Sequence, residues 1–63
     1  MKGGDTVKRA DFIKLLEANG WRLKRNGAEH DIYVKGKERE SVPRHREIDE
    51  KLAKAIIKRR GLK

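Results

Sequence analysis

The chain contains no cysteine. Disulfides, thiolate metal sites and a cysteine nucleophile are therefore excluded. It has one proline, one tryptophan, one tyrosine and one phenylalanine, so its core must be built mainly from aliphatic side chains. Hydroxyl groups are as scarce: Thr6 and Ser41 are the only ones besides the Tyr33 phenol, which leaves little material for a serine-type nucleophile. No apolar run approaches the roughly 18 residues of a membrane span. The opening Met1-Lys2-Gly3-Gly4-Asp5 lacks the apolar centre of a signal peptide. The expected location is the cytoplasm, with no membrane contact. Two histidines, His30 and His45, are too few for a metal site without carboxylate help, and no ligand spacing stands out. Neither a metal nor a cofactor is expected.

What the chain does have is positive charge. Its 63 residues carry 18 Lys and Arg against 10 acidic residues, a formal net charge of +8. So large a field on so small a body points to a polyanionic ligand, with nucleic acid first and an acidic protein second. The length bounds one domain over residues 1–63, with residues 1–6 expected to fray. A chain this short buries only about 60% of its unfolded surface, so its core is marginal.

The order of apolar and turn residues predicts α-β-β-β-α. Phe12, Ile13, Leu15, Leu16 and Asn19 recur at helical spacing within about Lys8 to Ala18, and Gly20 stands where a left-handed cap belongs. Trp21-Arg22-Leu23-Lys24-Arg25 alternates apolar and basic, with Trp21 and Leu23 expected inward and Arg22 and Lys24 outward. Asn26-Gly27 is a hairpin signal because both residues accept positive φ, although Ala28 and Glu29 widen the loop. His30 to Lys35 forms the second strand, Lys35-Gly36-Lys37 a turn and Glu38 to Val42 the third strand, closed by Pro43. Asp49 is the N-cap of a second helix over about Glu50 to Arg60. Its expected buried stripe is Leu52, Ala55, Ile56 and part of Ile57, with Lys54, Lys58, Arg59 and Arg60 outward. Gly61-Leu62 reads as a Schellman close that folds Leu62 onto Ile57. The resulting α+β fold is a three-stranded antiparallel sheet with two helices on one face. That is the layout of double-stranded-RNA-binding domains, and it specifies a fold rather than a function.

His30 is the first candidate for chemistry, because imidazole exchanges protons near neutral pH. RNA cleavage needs a base for the 2′-hydroxyl proton or an acid for the departing 5′-oxygen, with cations nearby to stabilise the phosphorane. Lys24, Arg25 and Lys35 are the nearest cations along the hairpin. The alternative is a surface histidine paired with Asp31 or Glu29. His45, in Val42-Pro43-Arg44-His45, reads either as a second acid, base or phosphate contact, or as a loop histidine bonded to a backbone carbonyl. By strand parity Tyr33 shares a face with Lys35, which makes it the better base-stacking candidate, whereas Trp21 belongs to the core.

Two segments together carry a family resemblance. Gly27-Ala28-Glu29-His30-Asp31-Ile32-Tyr33, followed by Val42-Pro43-Arg44-His45-Arg46-Glu47-Ile48, resembles the HicA toxin family of mRNA interferases. The opening Phe12–Trp21 and closing Leu52–Lys58 segments are similar too, so the resemblance spans about residues 7–62. It implies a toxin that cleaves mRNA without metal on a double-stranded-RNA-binding-like fold, silenced by a HicB antitoxin that covers the active face. The family's catalytic histidine maps onto His30 and its turn glycine onto Gly27. Lys24, Arg25, Lys35, Arg44 and His45 are then the expected RNA contacts, with Tyr33 stacking. The sequence departs from the pattern at Ala28-Glu29, where many members have glycine-serine or a second histidine. Two other readings share the charge and the fold: a non-catalytic RNA-binding module, and an interaction domain whose basic surface docks an acidic protein.

Overall fold

The structure, a computed structural model, describes residues 5–63. Its elements run β1 (Thr6–Lys8), α1 (Arg9–Ala18), β2 (Arg22–Asn26), β3 (His30–Lys35), β4 (Glu38–Pro43), β5 (Glu47–Asp49) and α2 (Glu50–Arg60). The expected α+β core is present: β2, β3 and β4 form a three-stranded antiparallel sheet with β3 central. One difference lies in the segments that lead into the two helices. Thr6–Lys8 pairs antiparallel with Glu47–Asp49 in a second, two-stranded sheet. The expected fraying therefore does not extend to Asp5 and Thr6. The Asp5 carbonyl accepts from the Glu50 amide at 3.0 Å, and the Thr6 hydroxyl donates to Glu47 at 2.6 Å. The same expectation for residues 1–4 lies outside the described residues.

Both helices end as their glycines predict. In α1 the Gly20 amide bonds the Glu17 carbonyl and the Trp21 amide bonds the Leu16 carbonyl, each at 3.0 Å, with Gly20 at φ 91. In α2 the Gly61 amide bonds Lys58 and the Leu62 amide bonds Ile57, with Gly61 at φ 62. Both pairs make the Schellman pattern, which satisfies carbonyls that a bare helix end leaves open. Asn19 then ties the two helix ends together through bonds to the Lys63 amide and carbonyl, each 3.2 Å. At its start α2 has the expected cap, Asp49 accepting from the Lys51 amide at 3.4 Å. No side chain caps α1; its first amide, of Arg9, is satisfied instead by the Arg46 carbonyl at 2.8 Å.

Phe12 and Leu16 of α1, and Ala53 and Ile56 of α2, pack with Trp21, Tyr33, Val42, Ile48 and Leu62 in one apolar cluster. The α2 stripe differs from the expected one. Ala53, Ile56, Ile57 and Arg60 line the inner side, at spacings i, i+3, i+4 and i+7. Leu52 is 39% exposed and Ala55 faces solvent. Arg60, expected outward, completes the stripe because its charge is met there. It bonds Glu40 at 2.9 Å, the Arg39 carbonyl at 3.0 Å and Glu38, and its guanidinium lies 5.4 Å from the Trp21 ring centre.

The faces of the sheet also come out differently. The register pairs Leu23 with Tyr33 and Tyr33 with Glu40, then Asn26 with Asp31 and Asp31 with Val42, so these residues share the face under the helices. Trp21 is buried as expected, but Leu23, on an edge strand, is 46% exposed. A bulge at Lys24 shifts the phase of β2, so Arg25 joins Arg22 on the open face, opposite Ile32 and Val34.

Candidate active site

The turn between β2 and β3 is Gly27-Ala28-Glu29, and His30 opens β3 opposite Pro43 at the end of β4. His30 is exposed and stands on the open-face side of the strand, in phase with Ile32. Its imidazole makes no hydrogen bond or ion pair among the described residues, so the pairing with Asp31 or Glu29 is not formed. His45 is likewise exposed and unbonded among the described residues, in the segment between β4 and β5.

Gly27 shapes this turn, for a reason other than the one its hairpin signal suggests. Neither Asn26 nor Gly27 adopts a left-handed φ. The constraint is space: a Cβ built on Gly27 lies 2.2 Å from the His30 carbonyl oxygen, which is backbone and cannot swing aside. Gly27→Ala must therefore move the strand end that carries His30. We expect a loss of about 1–3 kcal/mol in stability, the usual range for forced overpacking. Urea denaturation measures it, and an unchanged midpoint would contradict this geometry.

The turn is held from behind by Arg44. Its amide donates to the Glu29 carbonyl at 3.0 Å, and its Nη1 donates to the Gly27 carbonyl at 2.9 Å. Its Nε lies 3.4 Å from Oδ1 of Asp31. Asp31 is the centre of the arrangement. It is buried at 4% exposure, and it accepts from Arg9 Nη2 at 2.5 Å and from Asn26 Nδ2 at 3.2 Å. Arg9 also donates through Nε to the Pro43 carbonyl at 2.8 Å. One carboxylate thus fastens the start of α1, the end of β2 and the segment after β4 around the base of the His30 turn. Such a group is tolerated in the interior only because its partners satisfy it. Among the described residues no buried side-chain polar atom lacks a partner, and no three metal-ligating side chains converge.

The structure gathers some of the expected RNA contacts and separates others. Arg25 lies on the open face beside Ile32, and Lys24 is the exposed extra residue of the bulge. Arg44, with a side chain 47% exposed, and His45 follow Pro43 at the same end of the sheet as His30. Lys35 is at the other end of β3, five residues away or about 17 Å along the strand. Its stem lies against Gly20, where a Cβ would stand 3.4 Å from Lys35 Cε. Tyr33 has to be corrected. It is 5% exposed and part of the core, because the Asp31–Tyr33 side of β3 is the one the helices cover. It offers no ring to a base. Burial pushes its phenol above the ordinary value, an effect that the nearby Arg9 guanidinium partly offsets.

Sequence reasoning took Asp31 only as a possible partner of His30 and Asn26 only as a turn residue, and gave Arg9 no role at the site. The available signal was parity. Asp31 alternates with Tyr33, and a carboxylate that shares the inner face of a strand has to be met by cations.

These features define a small basic α+β protein of double-stranded-RNA-binding-like layout, with an exposed histidine on a braced turn. Residues 9–62 match the family described as HicA toxin of bacterial toxin-antitoxin, and the chain belongs to that family. It is accordingly a toxin of a toxin–antitoxin system, and the family implies a HicB-type antitoxin as its partner. No curated protein and no solved structure matches the chain. No helix among the described residues is long and apolar enough to cross a membrane.

Proposed function

We propose that this toxin is a metal-independent endoribonuclease that cleaves mRNA with His30 as general acid or base. The observation that carries the reading is an exposed imidazole, unbonded among the described residues, on a turn braced by Arg44 in a chain of net charge +8. The attacking group is the substrate's own 2′-hydroxyl. Its oxygen bonds to the adjacent phosphorus, the bond from phosphorus to the 5′-oxygen breaks, and a 2′,3′-cyclic phosphate is left. One proton leaves the 2′-hydroxyl and one is delivered to the 5′-oxygen. His30 performs one of these transfers, as a positioned acid or base.

Arg25, Lys24, Arg44 and His45 bind the RNA backbone near that point, and their charge opposes the charge that builds on the phosphorane. Gly27 keeps the turn in shape. Lys35 contacts only an RNA long enough to run the length of β3. Glu29, exposed beside His30, is the acidic exception in this basic setting.

The test is to incubate the purified toxin with mRNA in EDTA. Shortened RNA with cyclic-phosphate ends is the expected product. Salt-sensitive retention of intact RNA would instead identify a non-catalytic binding module, and failure to bind RNA at low salt would rule out both.

A further inference from the structure

A groove of about 440 Å³ opens beside the brace of the His30 turn, lined by Lys8, Arg9, Ala10, Arg44, Arg46 and Glu47. Four of these six side chains are cationic. They divide into two kinds. Arg9 and Arg44 are committed to Asp31 and form a fixed positive floor. Lys8 and Arg46 are exposed, and their side chains make no hydrogen bond or ion pair among the described residues. The single carboxylate, Glu47, is already bonded by the Thr6 hydroxyl at 2.6 Å.

The groove's position matters as much as its charge. Arg44 is shared: one side of it holds the Gly27 and Glu29 carbonyls, and the other forms a wall of the groove. His30 pairs with Pro43, the residue before Arg44. The His30 turn and the groove thus share Arg44 and lie at the same end of the sheet.

We propose that this groove is a second phosphate subsite, which takes a backbone phosphate of the RNA beyond the one positioned at His30. Lys8 and Arg46 are the groups that close on it. The inference rests on the ribonuclease reading for the identity of the polyanion. The chemistry that recognises the ligand is two cations unpaired among the described residues, Lys8 and Arg46, beside two arginines that share one carboxylate and so keep net positive charge. It suits the phosphodiester backbone and carries no base preference.

The experiment measures binding apart from cleavage. A short RNA with a 2′-deoxy substitution at every sugar that could attack is titrated against the full-length wild-type toxin and its Lys8→Ala/Arg46→Ala variant at several salt concentrations. The variant is expected to bind about tenfold more weakly near 0.1 M salt, with a salt slope shallower by about 0.7 for each phosphate it no longer neutralises. A charge-matched control, Lys14→Ala/Lys58→Ala, removes exposed cations outside the groove and is expected to keep the wild-type slope. The proposal is overturned if the groove variant keeps wild-type affinity and slope, or if the control weakens equally, since net charge alone would then explain the loss. It is also overturned if the groove variant loses the antitoxin while keeping RNA, which would make the groove a protein-docking surface. Absence of cleavage by the wild type on ordinary RNA would remove the ribonuclease reading and leave the binding comparison intact.

Discussion

His30→Ala is expected to lower mRNA cleavage roughly 10²–10⁴-fold, the usual worth of a positioned acid or base. The protein should remain folded. His30 is exposed, its imidazole is unbonded among the described residues, and the strand it opens is held through backbone pairing with Pro43. Induced in cells without its antitoxin, the variant should no longer arrest growth. The two readouts must move together while the circular dichroism spectrum and urea midpoint stay with the wild type. Full cleavage by a folded His30→Ala protein would remove the histidine from the mechanism. His45→Ala is the natural companion, since both imidazoles stand at the same end of the sheet.

Asp31→Ala should produce the largest stability loss of any change at the site. The substitution removes a buried carboxylate from three partners and leaves the Arg9 guanidinium without its counter-charge. Breaking a fully buried ion pair costs about 3–5 kcal/mol. The Arg9 and Arg44 side chains are 23% and 47% exposed and can regain water, which brings the expected loss to roughly 2–4 kcal/mol. A 63-residue domain is stable by only about 3–9 kcal/mol, so the loss would be a large share of the whole. Asp31→Asn keeps the shape and one accepting oxygen, and it should fall between wild type and Asp31→Ala. Urea midpoints for the three proteins measure the series. If Asp31→Ala unfolds within about 0.5 kcal/mol of wild type, the hub contributes nothing and the turn is braced by its backbone bonds alone.

How far the fold could be read from the sequence depended on whether the signal was local. Gly20 and Gly61 marked their helix ends correctly because a left-handed cap is set by a few consecutive residues. Lys35-Gly36-Lys37 was legible for the same reason: Gly36, at φ 60, opens the two-residue loop between paired Lys35 and Glu38. The β1–β5 sheet was invisible. Its strands are three residues each, too short for a period, and each is ordered by a partner distant in sequence, the segment before α1 meeting the segment before α2. The inner face of β3 was misread at Tyr33, because sharing a face with Lys35 suggests a base-stacking residue. Asp31 and Tyr33 are buried instead, and what permits it is an arginine 22 residues earlier and another 13 residues later. The α2 stripe went wrong similarly, since Arg60 reads as a surface residue until Glu40 and Trp21 are known to lie beneath it.

The candidate site was half legible. His30 and Gly27 were visible through the paired motifs, and Arg44 through its place in the second one. Asp31 was read only as a possible partner of His30, not as the buried hub beneath the turn. Lys8 and Arg46 drew no attention, because an exposed cation is ordinary in a basic chain until a groove collects several.

The brace at Arg44 has a consequence in time. The carbonyls of Gly27 and Glu29 are both held by a residue encoded after them, and Asp31 needs Arg44 as well as Arg9. A chain that ends before Arg44 contains the histidine turn but not its clamp, and one that ends before Ile56 and Leu62 lacks part of the core beneath it. A growing or truncated chain therefore has His30 before it has the residues that brace its turn.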